Sequence, residues 1–277
     1  MKIRRIAQLL SALVYNANIP GFFSGKIYTG QPKGLCVPGL NCYSCPGAVA
    51  SCPLGTLQNN ISSMPGRALF YIIGMLLLFG VLFGRLICGF LCPFGFFQEL
   101  LHKIPTPKLN KNKLTRKASY AKYAVLALFV VILPTLTGSP AFCQYICPAG
   151  TLQAGIPLVA LNESLRAITG LLFQWKIWIL IALIVLAVFA YRGFCRFVCP
   201  LGALYSFFNK VSVFGVRVEK SACSHCGKCV KICPVDIKTP GDRECVNCGK
   251  CIDACASGAV NWKHRHSKNA NGVELEK

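Results

Sequence analysis

Apolar residues in this chain gather in long, nearly uncharged runs instead of recurring at the spacing of an amphipathic helix or strand. Runs at 68–88, about 120–137 and 171–191 have the roughly 20-residue length that crosses a hydrocarbon core of ~30 Å, and each predicts a membrane span. Trp175 and Trp178 at one end and Tyr191 at the other bound the last run, as interfacial aromatics do. A weaker run at 6–23, broken by Asn16, Asn18 and Pro20, predicts a fourth span or an interfacial helix. Between the runs lie a Gly-, Pro-, Asn- and Ser-rich loop at 24–66, a linker at 89–119 that ends strongly basic, and a nearly uncharged stretch at 138–170. From about 217 the chain turns polar. The predicted fold is mainly α: a polytopic α-helical membrane domain of about four spans, followed by a small α+β domain. The expected divisions are 1–66 (N-terminal helix and outer cysteine-rich loop), 67–216 (transmembrane domain), 217–262 (the small domain) and 263–277 (polar tail).

Composition agrees with that picture. Hydrophobic residues make up 54% of the 277 and charged residues only 14%, against roughly 25% charged in soluble domains. The formal charge of +21 would suggest nucleic acid in a soluble protein. Here Lys and Arg flank the apolar runs, and no basic, aromatic-interleaved face or nucleic-acid motif occurs, so no nucleic-acid partner is expected. Lys103, Lys108, Lys111, Lys113, Arg116 and Lys117 crowd one linker, whereas Lys26, Lys33, Arg67, Arg166 and Lys176 are the only basic residues on the other side. The positive-inside rule therefore predicts a multi-pass protein of the cell membrane with both termini and the 85–122 loop in the cytoplasm. No small-residue cleavage site follows Met1–Asn18, so no cleavable signal peptide is expected.

The 18 cysteines carry the chemistry. Cys223-x2-Cys226-x2-Cys229-x3-Cys233-Pro is the bacterial ferredoxin spacing, and Cys245-x2-Cys248-x2-Cys251-x3-Cys255 repeats it. Three thiolates of such a run hold one 4Fe-4S cube and the fourth cysteine reaches the other cube. Cys223, Cys226, Cys229 and Cys255 are thus expected at one cluster, and Cys245, Cys248, Cys251 and Cys233 at the second. Structural zinc favours other spacings, and disulfides are disfavoured in the cytosol. His225, inside the first run, reads as a packing or hydrogen-bonding residue.

A second device repeats four times: Cys52-Pro-Leu-Gly-Thr-Leu-Gln, Cys92-Pro-Phe-Gly-Phe-Phe-Gln, Cys147-Pro-Ala-Gly-Thr-Leu-Gln and Cys199-Pro-Leu-Gly-Ala-Leu-Tyr. Proline after the cysteine suits the first turn of a helix, where its missing N–H costs nothing, so each copy predicts a thiolate at a helix start. Three copies are preceded by another cysteine four residues earlier, giving Cys88/Cys92, Cys143/Cys147 and Cys195/Cys199. Positions i and i+4 share a helix face, so each pair offers half a cluster site. Cys88, Cys92, Cys195 and Cys199 are expected to hold a third cluster at the inner membrane face, with Arg85, Arg192 and Arg196 close by in sequence. Six cysteines remain for an outer-face cluster. Cys143 and Cys147 with Cys45 and Cys52 are the expected ligands; Cys36 and Cys42 are alternatives, or form a disulfide.

The three Cys-x3-Cys-Pro repeats and the double ferredoxin run together resemble the polyferredoxin-like membrane proteins exemplified by NapH and by the C-terminal domain of NosR, over about residues 68–260. The resemblance implies about four spans, cytoplasmic ferredoxin clusters, and electron exchange with a quinol pool or an outer redox partner. The Cys36–Cys52 loop departs from that pattern. The functional expectation is transmembrane electron transfer through four 4Fe-4S clusters, between a cytoplasmic donor and an extracytoplasmic flavoprotein, cytochrome or reductase. The alternatives are a NapH-like quinol dehydrogenase subunit, which would add quinone as a cofactor, and a redox-sensing or metal-reducing assembly or regulatory protein. His102, His225, His264 and His266 lie outside the predicted spans and no C-x-x-C-H occurs, so no haem is expected. No catalytic residues are assigned.

Overall fold

A computed structural model describes residues 2–62, 67–109 and 111–263. The boundary at 66 and the tail beyond Lys263 lie outside the described residues. Among the described residues, two helices are long and apolar enough to cross a bilayer, Lys113–Thr137 with 25 residues and Leu171–Phe189 with 19. At 1.5 Å per residue they measure roughly 37 and 28 Å. Their apolar side chains point outward: Leu171, Trp178, Ile181 and Val185 are all exposed, an arrangement suited to lipid and costly in water.

The run expected at 68–88 is interrupted. Its helix is Arg67–Phe83; Gly84 then takes a left-handed φ of 49°, and a short helix, Leu86–Phe90, follows. The 6–23 run is also divided, into Lys2–Tyr15 and Ile19–Ser24. The Lys2–Tyr15 helix is inside out. Arg4, Gln8 and Ser11 are buried while Ile3, Ile6, Leu9, Leu10, Leu13 and Val14 are exposed. Its polar face is satisfied by protein, with Arg4 paired to Glu99 at 2.7 Å and Gln8 Nε2 donating to the Gly89 carbonyl at 2.8 Å. Such inversion is what a hydrocarbon solvent favours, since polar groups there must find partners within the protein.

The loop expected at 24–66 ends in a helix, Pro53–Ser62, and the 138–170 stretch is largely helical. The small C-terminal unit has a two-stranded antiparallel sheet, Val216–Val218 against Val260–Trp262, with Val216 opposite Trp262. Two one-turn helices, Lys228–Lys231 and Lys250–Asp253, lie between the strands. Gly227 and Gly249, at φ of 69° and 81°, precede them in the left-handed region that glycine reaches without a Cβ clash. His225 and Asn247 hold equivalent left-handed positions, so His225 serves as a turn residue.

This unit docks on the helical domain through a polar hub. Asn209 donates to the carbonyls of Asp242 and Cys245 at 2.6 and 3.0 Å, and its Oδ1 accepts from Asn247 and from the backbone of Arg85. Arg85 and Lys122 both pair with Glu244, at 3.0 and 2.5 Å, and Arg196 pairs with Asp236.

Candidate cluster-binding sites

Cys88, Cys92, Cys195 and Cys199 are all buried, at 4–6% exposure, and lie within electrostatic reach of one another. They do not share helix faces as i and i+4 positions. Cys88 sits in Leu86–Phe90, the chain breaks at Leu91, and Cys92 in extended backbone (φ −88°, ψ 113°) caps Pro93–Leu101. Cys195 and Cys199 repeat this with Gly193–Phe197 and Pro200–Phe208. The Pro therefore marks a break that lets both thiols of a pair turn toward the other pair.

The two halves cross-brace each other. Arg192 Nη1 donates to the Cys88 carbonyl, and Arg85 Nη2 donates to the Cys195 carbonyl at 3.3 Å. Both guanidiniums are buried, at 0% and 1% exposure, and place positive charge beside four thiolates. The glycines of the repeat make room for this crossing. A Cβ on Gly95 would stand 3.3 Å from the Arg192 guanidinium carbon and 3.0 Å from the Cys88 oxygen. One on Gly202 would stand 3.1 Å from the Cys195 oxygen. Gln98 Nε2 donates to Cys195 Sγ at 3.0 Å and the Gly202 N–H to Cys199 Sγ at 3.4 Å. Arg196 instead reaches across to the ferredoxin unit.

The second group brings in Cys42, one of the two alternatives, in place of the expected Cys45. Cys42, Cys52, Cys143 and Cys147 line one cavity of about 560 Å³. Cys45 does not line it; its thiol is turned toward Asn16 Oδ1 at 3.7 Å. The difference arises because the Gln153 side chain accepts the Cys42 backbone N–H at 2.9 Å and draws that residue inward. Cys36 faces Thr56 Oγ1 at 3.9 Å. All 18 cysteines are free thiols, so the Cys36–Cys42 disulfide is absent. Gln58 Nε2 donates to Cys143 Sγ at 3.5 Å, the Gly150 N–H to Cys147 Sγ at 3.4 Å, and Lys176 Nζ to the Cys143 carbonyl at 3.3 Å.

The two groups are not a bilayer apart, as the inner-face and outer-face expectation had them. They sit back to back on one loop. A Cβ on Gly39 would be 3.1 Å from the Cys92 Cα. The backbone N–H of Leu40 is directed at the Cys92 thiol and that of the next residue, Asn41, at the Cys52 thiol. Tyr205, fully buried between the groups, pins this loop by donating to the Pro38 carbonyl at 3.0 Å.

In the C-terminal unit, Cys233, Cys245, Cys248 and Cys251 are mutual neighbours. Burial and the adjacent thiols push Cys233 and Cys251 up to about 12. Cys229 and Cys255 pack against the hydrophobic cluster that contains Cys251, Val216 and Val260. Cys226 is exposed, and the Lys228 backbone N–H lowers it below the usual thiol range. At the docking interface Gly89, next to Cys88, meets the Val246 carbonyl, next to Cys245: a Cβ there would lie 2.5 Å from that oxygen.

The two helical-domain groups of four soft thiol donors, unpaired with each other and with N–H donors on their sulfurs, and in the Cys88 group with buried arginines alongside, fit iron–sulfur clusters. Structure and site together define a ferredoxin-type 4Fe-4S protein. A 4Fe-4S binding domain model matches residues 66–112, 123–159 and 172–219, one stretch for each Cys-x3-Cys-Pro pair, and a second 4Fe-4S binding domain model matches 216–239. The chain is 33% identical over 165 residues to an uncharacterized protein of Methanocaldococcus jannaschii, covering 57% of this chain and 62% of that one. It is 29% identical to the methylamine utilization ferredoxin-type protein MauN of Paracoccus denitrificans, over 54% of this chain and 48% of the relative. It is also 29% identical to the regulatory protein NosR of Pseudomonas aeruginosa, over 59% of this chain and 22% of the relative. The chain carries 4Fe-4S binding domains and is similar to ferredoxin-type proteins of the NosR and MauN kind. It covers about half to three fifths of the length of the first of these relatives and less of NosR. No solved structure matches.

Proposed function

We propose that this chain conducts electrons across a bilayer, between a cytoplasmic donor and an extracytoplasmic flavoprotein, cytochrome or reductase. Four thiolate groups would each hold a 4Fe-4S cluster, a centre that accepts and releases one electron. The observation that carries this is their unbroken succession: the Cys245 group abuts Cys88 through Val246 and Gly89, and the Cys92 group abuts Cys52 through Leu40 and Asn41. The ligand sets in this reading are Cys223, Cys226, Cys229 and Cys255; Cys233, Cys245, Cys248 and Cys251; Cys88, Cys92, Cys195 and Cys199; and Cys42, Cys52, Cys143 and Cys147. The protein's own work is to fix spacing, to exclude water from the Cys88 group, and to offset its negative charge with Arg85 and Arg192.

In this reading Arg67–Phe83 and the inside-out Lys2–Tyr15 helix also contact lipid, which gives a multi-pass protein of the cell membrane with the ferredoxin unit and both termini in the cytoplasm. Iron and sulfide analysis with EPR on anaerobically purified protein tests the proposal. About sixteen irons are expected, at four per cluster. Eight would leave only the ferredoxin pair and refute it. Changing Cys92 and Cys199 together to Ser should remove one cluster's signal and spare the ferredoxin pair.

A further inference from the structure

The two membrane-domain thiol groups are built to one plan, and the plan exposes a substitution in the ligand set. Four contacts set the correspondence. Gln98 donates to Cys195 Sγ and accepts from the Phe194 N–H; Gln58 does the same for Cys143 and Phe142. The Gly202 N–H meets Cys199 Sγ, and the Gly150 N–H meets Cys147 Sγ, both at 3.4 Å. Arg85 donates to the Cys195 carbonyl; Lys176 donates to the Cys143 carbonyl. Arg192 donates to the Cys88 carbonyl; Lys33 Nζ donates to the Ala48 carbonyl at 2.6 Å.

Cys52, Cys143 and Cys147 thus stand where Cys92, Cys195 and Cys199 stand, and Ala48 stands where Cys88 stands. Ala48 is fully buried and four residues before Cys52, as Cys88 is before Cys92. The vacated fourth donor position is served by Cys42, which arrives from the loop and is held by Gln153. Gln153 is itself the repeat residue six after Cys147; at the matching place after Cys199 is Tyr205, which holds Pro38 instead.

We infer that the Cys42 group is a three-plus-one cluster site: Cys52, Cys143 and Cys147 are scaffold ligands, and Cys42 is a relocated ligand whose original position is residue 48. This rests on the reading that a cluster occupies this group.

The test is ligand transfer, read by iron content and EPR of anaerobically purified protein. Treated with one equivalent of ferricyanide, which takes up the one electron released, Cys42→Ala should lose about one iron as Fe2+ and give the EPR signal of an oxidised three-iron cluster, while Cys52→Ala should lose the whole cluster. Adding Ala48→Cys to Cys42→Ala should restore the four-iron signal and the lost iron. Wild-type protein with only the two ferredoxin clusters would remove the underlying reading. Wild-type protein with four clusters, in which Ala48→Cys fails to restore the site although the Cys88 group and ferredoxin signals persist, would overturn the inference alone. So would Cys42→Ala protein that keeps its full iron and an unchanged spectrum. Gln153→Leu, which removes only the support of Cys42, should reproduce part of the iron loss.

Discussion

Gln98 closes its amide on Cys195, donating to the thiol at 3.0 Å while accepting the N–H of the preceding Phe194 at 3.0 Å. Gln58 does this for Cys143. A donor on a ligand sulfur stabilises the more negative, reduced cluster, so its loss lowers the reduction potential. A differential of about 1 kcal/mol corresponds to roughly 40 mV for a one-electron couple. Gln98→Leu should lower the potential of the Cys88 group by tens of millivolts in an EPR-monitored titration, and Gln58→Leu should lower that of the Cys42 group. Unchanged midpoints in both variants would assign these glutamines a packing role only.

Glu244 governs how the ferredoxin unit is seated. Burial pushes its carboxyl up, but the Arg85 guanidinium and the Lys122 ammonium outweigh this and hold it below the usual carboxylate range. A carboxyl depressed on folding stabilises fully above its unfolded pKa, and that stabilisation is lost as pH falls through the folded value. Docking should be constant from neutral pH down to roughly 4.3 and weaken below. Glu244→Gln would strand the buried Arg85 charge, at a cost of about 3 kcal/mol or more. Hydrogen exchange across residues 216–262 should rise in the variant at pH 7; protection equal to wild type would contradict this role.

Gly89 sets the approach of the two domains. Any side chain there collides with the Val246 carbonyl at 2.5 Å, and backbone on both sides cannot yield cheaply. Gly89→Val should leave iron content at the wild-type level yet slow electron passage from the reduced ferredoxin unit to the membrane groups by at least tenfold, as followed by freeze-quench EPR. Gly74, whose Cβ would meet nothing within 4 Å, is the control; Gly74→Ala should match wild type. Equal rates in the two variants would show that the Gly89 contact does not lie on the electron path.

Much of this was legible because spacing is a local property. The Cys-Pro repeats mark helix starts whatever surrounds them, and Cys147 and Cys199 do cap the helices that follow. The pairing of Cys88/Cys92 with Cys195/Cys199 followed from topology, although the halves meet across helix breaks and not on helix faces. Cys42 was not legible in preference to Cys45: both lie in an irregular loop without period, and the selection rests on one long-range hydrogen bond, donated by the Cys42 backbone N–H to the Gln153 side-chain oxygen. A trace of it was present, since Gln153 falls at the same repeat position as Gln58 and Gln98. The back-to-back arrangement was hidden as well, because hydropathy reports which segments face lipid and says nothing of a loop such as 36–52 folding inward against Cys92.

That inward loop brings the Cys88 and Cys42 thiol groups close together, near enough for clusters held there to couple magnetically. The Leu40 and Asn41 N–H groups belong to successive peptides and address Cys92 and Cys52 respectively. Gly39 packs against the Cys92 backbone and the next two residues, Leu40 and Asn41, line the cavity of the Cys42 group; with consecutive Cα atoms ~3.8 Å apart, the two groups lie on the order of 10 Å apart. Paramagnetic centres held at that separation couple. Fully reduced protein should show the Cys88-group EPR signal split or broadened by its neighbour, whereas protein reduced only at one of the two sites should give a simple spectrum. Cys52→Ala, which removes the neighbouring site, should restore the simple spectrum at full reduction. Two superposed, unsplit signals from a protein that carries both clusters would mean that the Gly39–Asn41 segment does not hold the sites together, and the continuous electron path through it would have to be abandoned.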